Sequence, residues 1–266
     1  MITGLATKIG RAMHDIQYDA VHDEIVMTNP FAQAVLTFRG DANGEEPPIR
    51  ILQGPSTQMM DPDHVVVDPV HDELFVFEAE FILVFPRTAQ GDAAPIRVIR
   101  GPDTRIKGGR TLAVDPVRNL LVATVTIPET RGYGLVVFNR TDNGNVKPRA
   151  VIAGPKTGIN SAVDQIQINP TKGWIVVNLP GGGRREEGQE PREQESRESR
   201  GGGRGSGGTQ IGVWSVDDNG DIPPVWLLGA PNNGMQGRRL TLNPKGKEII
   251  TGGGTQMQMF SFPEIF

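Results

Sequence analysis

The stretch Val65–Pro102 reads VVVDPVHDELFVFEAEFILVFPRTAQGDAAPIRVIRGP, and it decides the fold. An apolar run, Val65–Val67, stops at Asp68-Pro69, where proline removes a backbone donor and favours a tight turn. Two further runs, Leu74–Phe77 and Phe81–Phe85, are rich in β-branched and aromatic residues. After a turn containing Gly91, a fourth run, Ile96–Arg100, ends at Gly101-Pro102. This is the pattern of four short antiparallel strands. Their apolar residues do not alternate with polar ones, as expected of a sheet covered on both faces.

The same phrase recurs along the chain. Its Asp or Asn stands at Asp19, Asp68, Asp115, Asn169 and Asn243, with spacings of 49, 47, 54 and 74 residues. A Gly-Pro pair follows at Gly54, Gly101 and Gly154, with Ala230-Pro231 in the corresponding place later on. A turn glycine keeps the same step at Gly44, Gly91, Gly144 and Gly220. Units of about 40–50 residues with four strands each are the size of propeller blades. The sequence therefore predicts an all-β protein, a single β-propeller over residues 1–266 with about five four-stranded antiparallel blades. The fifth unit has only three strands, Leu240–Leu242, Glu248–Thr251 and Met257–Phe262. Ile2-Thr3-Gly4 lies 15 residues before Asp19, much as Gly101 precedes Asp115, so closure of the ring by the N-terminal strand is expected. The alternative is a fragment of a six-bladed propeller. In the third unit a longer loop is expected over residues 125–133.

The spacing of 74 is explained by Gly181–Gly208, GGGRREEGQEPREQESRESRGGGRGSGG, within the fourth blade. Its 28 residues include six Arg and six Glu and nothing apolar, so the segment is expected to be disordered. It contains a G-x-G-x-x-G spelling at Gly203–Gly208, but a dinucleotide site needs those glycines between a strand and a helix. Nearby glutamates cancel the charge that an RNA-binding Arg-Gly segment would need.

Composition narrows the function classes. A net charge of −4 gives no bulk reason to expect nucleic acid or an anionic membrane. Cysteine is absent, which removes disulfides, thiolate metal sites and a cysteine nucleophile. No cofactor-binding motif is present. The opening residues, MITGLATKIGRAMHD, lack an apolar core of about 7–15 residues. The sequence as written thus predicts a cytoplasmic monomer, or an exported protein if residues precede Met1.

The candidate site comes from the entries to the inner strands, which crowd around a propeller's axis. Aligning the units on the Asp or Asn gives one ring of His14, Asp63, Arg110, Asp164 and Arg238 and a second of Asp15, His64, Thr111, Gln165 and Arg239. Glu78, Glu80 and Glu129, on loops between second and third strands, are expected to extend it on the same face. Such a mouth can bind an anion or a metal, or do acid–base chemistry. The arginines argue against a central metal ion. An enzyme should bring at least three of His14, Asp15, Asp63, His64, Asp164 and Glu78 into one pocket. A non-catalytic scaffold should instead pair them with Arg110, Arg238 and Arg239. His22 and His71, each in Val-His-Asp-Glu, are read as turn residues on the far side.

The pattern carried by Val67–Val76, Ile82–Thr88 with Gly91, and Pro95–Pro102 recurs at Val114–Val122, Val136–Thr141 and Pro148–Pro155. It resembles bacterial NHL/YVTN-type propellers of the TolB-like and lactonase-like group. That resemblance implies the propeller fold, and commonly six or more blades and export. It implies function only broadly, since the group includes binding scaffolds, lactonases and lyases. No catalytic motif of the group matches residue by residue. The reading is a non-catalytic binding or interaction module for an unidentified protein or small molecule, with a lactonase-like hydrolase or lyase as the alternative.

Overall fold

A computed structural model describes residues 1–11, 13–130, 132–179, 209–229, 239–253 and 256–266. The segment 181–208 and Arg238 lie outside the described residues. Five antiparallel sheets follow one another along the chain. The first contains β1 (Ile16–Asp19), β2 (Glu24–Asn29), β3 (Ala34–Arg39) and β4 (Arg50–Gln53). The second contains β5 (His64–Asp68), β6 (Glu73–Glu78), β7 (Phe81–Pro86) and β8 (Arg97–Arg100), and the third β9 (Leu112–Asp115), β10 (Leu120–Ile127), β11 (Gly132–Asn139) and β12 (Ala150–Ala153). The fourth contains β13 (Ile166–Asn169), β14 (Trp174–Leu179), β15 (Gln210–Ser215) and β16 (Trp226–Leu228). The fifth has three strands, β17 (Arg239–Asn243), β18 (Glu248–Gly253) and β19 (Gln256–Ser261). This is the five-bladed propeller that the repeat predicts. One local expectation fails: most of the described residues of 125–133 are strand, because β10 and β11 pair out to Ile127 opposite Gly132, with Pro128–Thr130 in a short 3-10 turn between them.

The recurring phrases each have a local task. Asp19, Asp68 and Asp115 are buried and accept backbone N–H bonds from the residues two and three further on, at 2.9–3.2 Å. That turn closes the inner hairpin of each blade. His22 and His71 complete it, with Nδ1 2.7 and 2.8 Å from the same aspartates, so they belong to the turns as the sequence reading had it. The turn glycines join neighbouring blades. Gly91 N–H donates to Ile51 O (2.7 Å) while its carbonyl accepts from Gln53 N–H (2.9 Å), and Gly144 and Gly220 repeat the exchange with the second and third blades. In the Gly-Pro phrase, Gly54 has φ 140° and the side chain of Asp92 presses on its Cα, so an added Cβ would meet that carboxyl at 2.4 Å.

Residues 2–9 copy the end of a blade. Ile2 bridges Gly44 as Leu52 bridges Gly91, and Thr7 Oγ1 donates to Gly4 O as Thr57, Thr104 and Thr157 do to Gly54, Gly101 and Gly154. The N-terminal segment therefore takes a fourth-strand place against the first blade. Among the described residues it does not pair with β19.

Apolar side chains fill the space between consecutive blades, in clusters that each draw on two sheets. At the end of each interface away from the inner-strand entries, three equivalent positions meet: the first residue of the second strand, the first of the fourth strand, and the residue that follows the next blade's third strand. Between blades one and two these are Glu24, Arg50 and Arg87; between two and three they are Glu73, Arg97 and Arg140. Arg87 Nη1 lies 2.8 Å from Glu24, and Arg97 Nη2 2.8 Å from Glu73. Between three and four the trio is Leu120, Ala150 and Val216, all buried in one cluster. Between four and five it is Trp174, Trp226 and Phe262, packed edge to face with centroids 4.8 and 5.8 Å apart.

The ionic trio should be replaceable as a unit and not in part. Arg140→Ala leaves Glu73 buried with one arginine and should cost about 3–5 kcal/mol, whereas the triple change Glu73→Leu, Arg97→Ala and Arg140→Val should be roughly neutral. Denaturant unfolding of both variants checks this.

Candidate functional site

The described members of the two predicted rings gather at one end of the channel. The tops of the inner strands bring their side chains within reach of one another across blade boundaries. His14 Nδ1 lies 2.7 Å from Asp63 Oδ1, and Arg110 Nη1 lies 3.4 Å from Asp164 Oδ1. In the second ring, His64 Nε2 stands 3.3 Å from Asp15 Oδ2 and 2.9 Å from Thr111 Oγ1. Arg239 returns to the start, with Nη1 3.9 Å from Asp15 Oδ1 and Nη2 donating to His14 O at 3.4 Å. Gln165 Oε1 accepts Leu240 N–H at 3.3 Å. Thr28 and Thr124, on the adjoining second strands, accept the N–H groups of Asp15 and Thr111.

Two cavities lie here. The smaller, of about 60 Å³, is lined by His14, Asp63, His64, Arg110, Asp164 and Arg239. The larger, of about 380 Å³, is lined by Met13, His14, Asp15, Ile16, Met27, Gln165 and Arg239. His14 and Arg239 belong to both and form the wall between them. The larger space joins an apolar surface, Met13, Ile16 and Met27, to a charged rim. Periodicity found the rim because it marks strand entries. It gave no signal for the apolar wall, whose residues count as ordinary blade or N-terminal side chains.

Three expected members do not join. Glu78 is buried and accepts N–H bonds from Met60 (3.2 Å) and Asp61 (2.8 Å), so it braces the connection into β5. Glu129 pairs with Arg105 at 2.8 Å. Glu80 lies in the turn between β6 and β7 and lines neither cavity. Arg238 lies outside the described residues. Among those residues no three His, Asp or Glu side chains are grouped to hold a metal ion.

Burial sets the protonation of the inner ring. Asp15 is pushed up from 3.8 to about 6, because desolvation outweighs its bonds from the Val65 and Ile16 N–H groups and the charge of Arg239. His64 is held down at about 3 by complete burial, and next by the charge of Arg239, so it is neutral at pH 7. Its Nδ1 is buried without a partner. The ring proton therefore sits on Nε2, facing Asp15 and Thr111. The members of the outer ring are already engaged in pairs, His14 with Asp63 and Arg110 with Asp164. Four of the six acid–base candidates thus line one small cavity, yet two of the expected arginine pairings are present as well. The arrangement holds polar groups ready at a mouth without leaving a lone base aimed into it.

No family model matches this chain, and no curated protein matches it. Solved structures do. The chain resembles hydrazine synthase of Kuenenia stuttgartiensis (14% identity, TM-score 0.56, 89% of this chain and 60% of that one). It also resembles a protein of unknown function from Desulfotomaculum acetoxidans (13% identity, TM-score 0.61, 97% and 68%). The chain thus spans about 60% of the length of the first of these. A Bacteroides uniformis protein provisionally assigned as a 6-phosphogluconolactonase (17% identity, 89% and 62%) has a TM-score of 0.49, too distant to carry an argument. At these identities the likeness establishes the fold and nothing of the chemistry.

The two buried groups pull stability in opposite directions with pH. Asp15 favours the folded state in its protonated form, a contribution present below 3.8 and lost as pH rises through about 6. His64 favours it in its neutral form, a contribution present above 6.5 and lost as pH falls through about 3. Asp15→Asn removes the first alone. It should raise stability at pH 7 by about 2–3 kcal/mol and steepen the loss between pH 6 and pH 4, as measured by urea unfolding across that range.

Proposed function

We propose that this chain is a propeller of the NHL/YVTN type acting as a non-catalytic binding module, with its ligand held at the channel mouth. The convergence of His14, Asp15, Asp63, His64, Arg110, Asp164 and Arg239 on two adjoining cavities carries this reading. The ligand class follows from the lining. A small molecule with an apolar portion fits against Met13, Ile16 and Met27. Its carboxylate or hydroxyl groups meet Arg239 and His14 at the wall, and Arg110 beyond it. Concave sites of this kind, mostly apolar with a few placed polar groups, are the usual form of small-ligand pockets.

A hydrolase or lyase is the second reading. The observation favouring it is the accessible His14–Asp63 pair beside Asp15, a carboxyl that burial pushes up to about 6. Titratable groups whose environments push them apart are a mark of acid–base sites.

A melting screen against small carboxylic acids, sugar acids and lactones separates the readings. A ligand at 100 times its Kd adds about 2.7 kcal/mol, a rise of several degrees. The binding module predicts a rise that Arg239→Ala abolishes, with the compound recovered unchanged after incubation. Turnover of a lactone that His14→Gln eliminates would replace the binding reading with the hydrolytic one.

A further inference from the structure

The turns between first and second strands project three valines from the end of the propeller opposite the mouth. Val21, Val70 and Val117 are 69%, 67% and 68% exposed and hold the same place in consecutive blades. The fold does not ask for them. What each turn needs is the backbone N–H of that residue, which donates to the buried Asp19, Asp68 or Asp115. In the fourth blade Thr171 N–H makes the same bond to Asn169 at 3.0 Å. A polar side chain closes the turn equally well, and turn positions ordinarily carry one.

Neighbouring turns are tied together, so the valines share one platform. His22 Nε2 lies 3.9 Å from Asp72 Oδ1, joining the first turn to the second. Arg140 Nε spans the second and third, 3.7 Å from Asp68 Oδ2 and 3.0 Å from Asn119 Oδ1. Arg118 Nη1 donates to Pro170 O at 2.6 Å and joins the third to the fourth. Single exposed valines are ordinary, but a contiguous apolar patch that folding does not require marks an interaction surface.

The charges at its border specify the partner. The exposed acids beside the valines are engaged: Asp23 accepts from the Tyr18 hydroxyl at 2.7 Å, and Asp72 pairs with Arg87 Nε at 2.8 Å. From the fourth turn onward the exposed charges are cations, Lys172 and then Lys245 and Lys247 of the fifth turn. The surface thus runs from apolar to basic. The third strands end level with the starts of the second strands, so the turns that follow them lie at this same end and bring Asp41, Asp142 and Asp217 around it. Those acids oppose a broad anionic surface such as a lipid membrane and favour a narrow partner.

We propose that this face docks an extended segment of a partner protein in which apolar residues are followed by acidic ones. The apolar side chains cover Val21, Val70 and Val117, and the carboxylates meet Lys172, with Lys245 and Lys247 beyond it. Burial of the valines supplies affinity, and the charge match supplies orientation and selectivity. The channel mouth stays open while the segment is bound.

A fluorescent peptide, Ile-Val-Leu-Val-Asp-Glu-Asp, is the probe, read against the full chain by anisotropy and by methyl NMR of the valines. The expected result is saturable binding that shifts the methyl signals of Val21, Val70 and Val117. Replacing the peptide's three acids by lysine should weaken binding about tenfold, and Lys172→Glu should narrow that difference. The triple change Val21→Thr, Val70→Thr and Val117→Thr copies the fourth turn. It should weaken the acidic peptide about tenfold with an unchanged melting temperature. Equal binding of the two peptides to the unaltered chain, or no movement of those three methyl signals, overturns the proposal. So does co-sedimentation with phosphatidylserine vesicles that the triple variant loses, which makes a membrane the occupant. Concentration-dependent dimerisation lost in the same variant also overturns it, by making a second copy the occupant.

Discussion

Consecutive blades are held together, at the end away from the inner-strand entries, by three side chains that meet from two sheets, and the chemistry of that contact changes along the chain. Two interfaces use a glutamate gripped by two arginines, one uses Leu120, Ala150 and Val216, and one uses Trp174, Trp226 and Phe262. The three solutions fill the same place by different physics. A buried ion pair offsets its own desolvation only when every partner is present, while an apolar or aromatic trio relies on area and packing alone. What the propeller requires there is a complete set. That explains why the substitutions come in threes at positions far apart in sequence.

The mouth depends on this rigidity. His14 and Asp63, Asp15 and His64, His64 and Thr111, and Arg110 and Asp164 are all partners from different blades. Their separations of 2.7–3.4 Å exist only because the sheets keep a fixed offset. Fixing the offset are the glycine exchanges of Gly91, Gly144 and Gly220, which act through backbone atoms and so do not depend on side-chain identity. The site is therefore a property of blade stacking, and its polar groups are preorganised before any ligand arrives.

Much of this was legible in the sequence, and the reasons for the rest are physical. The repeated Asp or Asn marks a turn that side-chain chemistry enforces, so the inner strands fell within a residue or so of their observed limits. Aligning on it picked out the strand entries whose described members gather at one end, since equivalent strand entries must approach the axis. Glu78 went the other way because a repeat position does not say whether its carboxylate meets solvent or a backbone: the loop after Met59 folds back and offers two N–H groups. Val125–Ile127 lengthened β10 because the β-branched run outweighed the turn expected there. The apolar wall of Met13, Ile16 and Met27 was invisible, because each of these residues reads in the sequence as an ordinary blade or N-terminal side chain.

The pairing of β14 with β15 reaches Leu179 opposite Gln210, and Asn178 N–H bonds to Gln165 O at 3.4 Å, level with the mouth. Thirty residues separate those paired positions in sequence, yet the hairpin keeps its register. Once the two ends are held, lengthening such a connection costs free energy only as the logarithm of its length. The fourth blade thus serves as a port at which sequence of any composition can be added beside the mouth while the sheet beneath it is left unchanged.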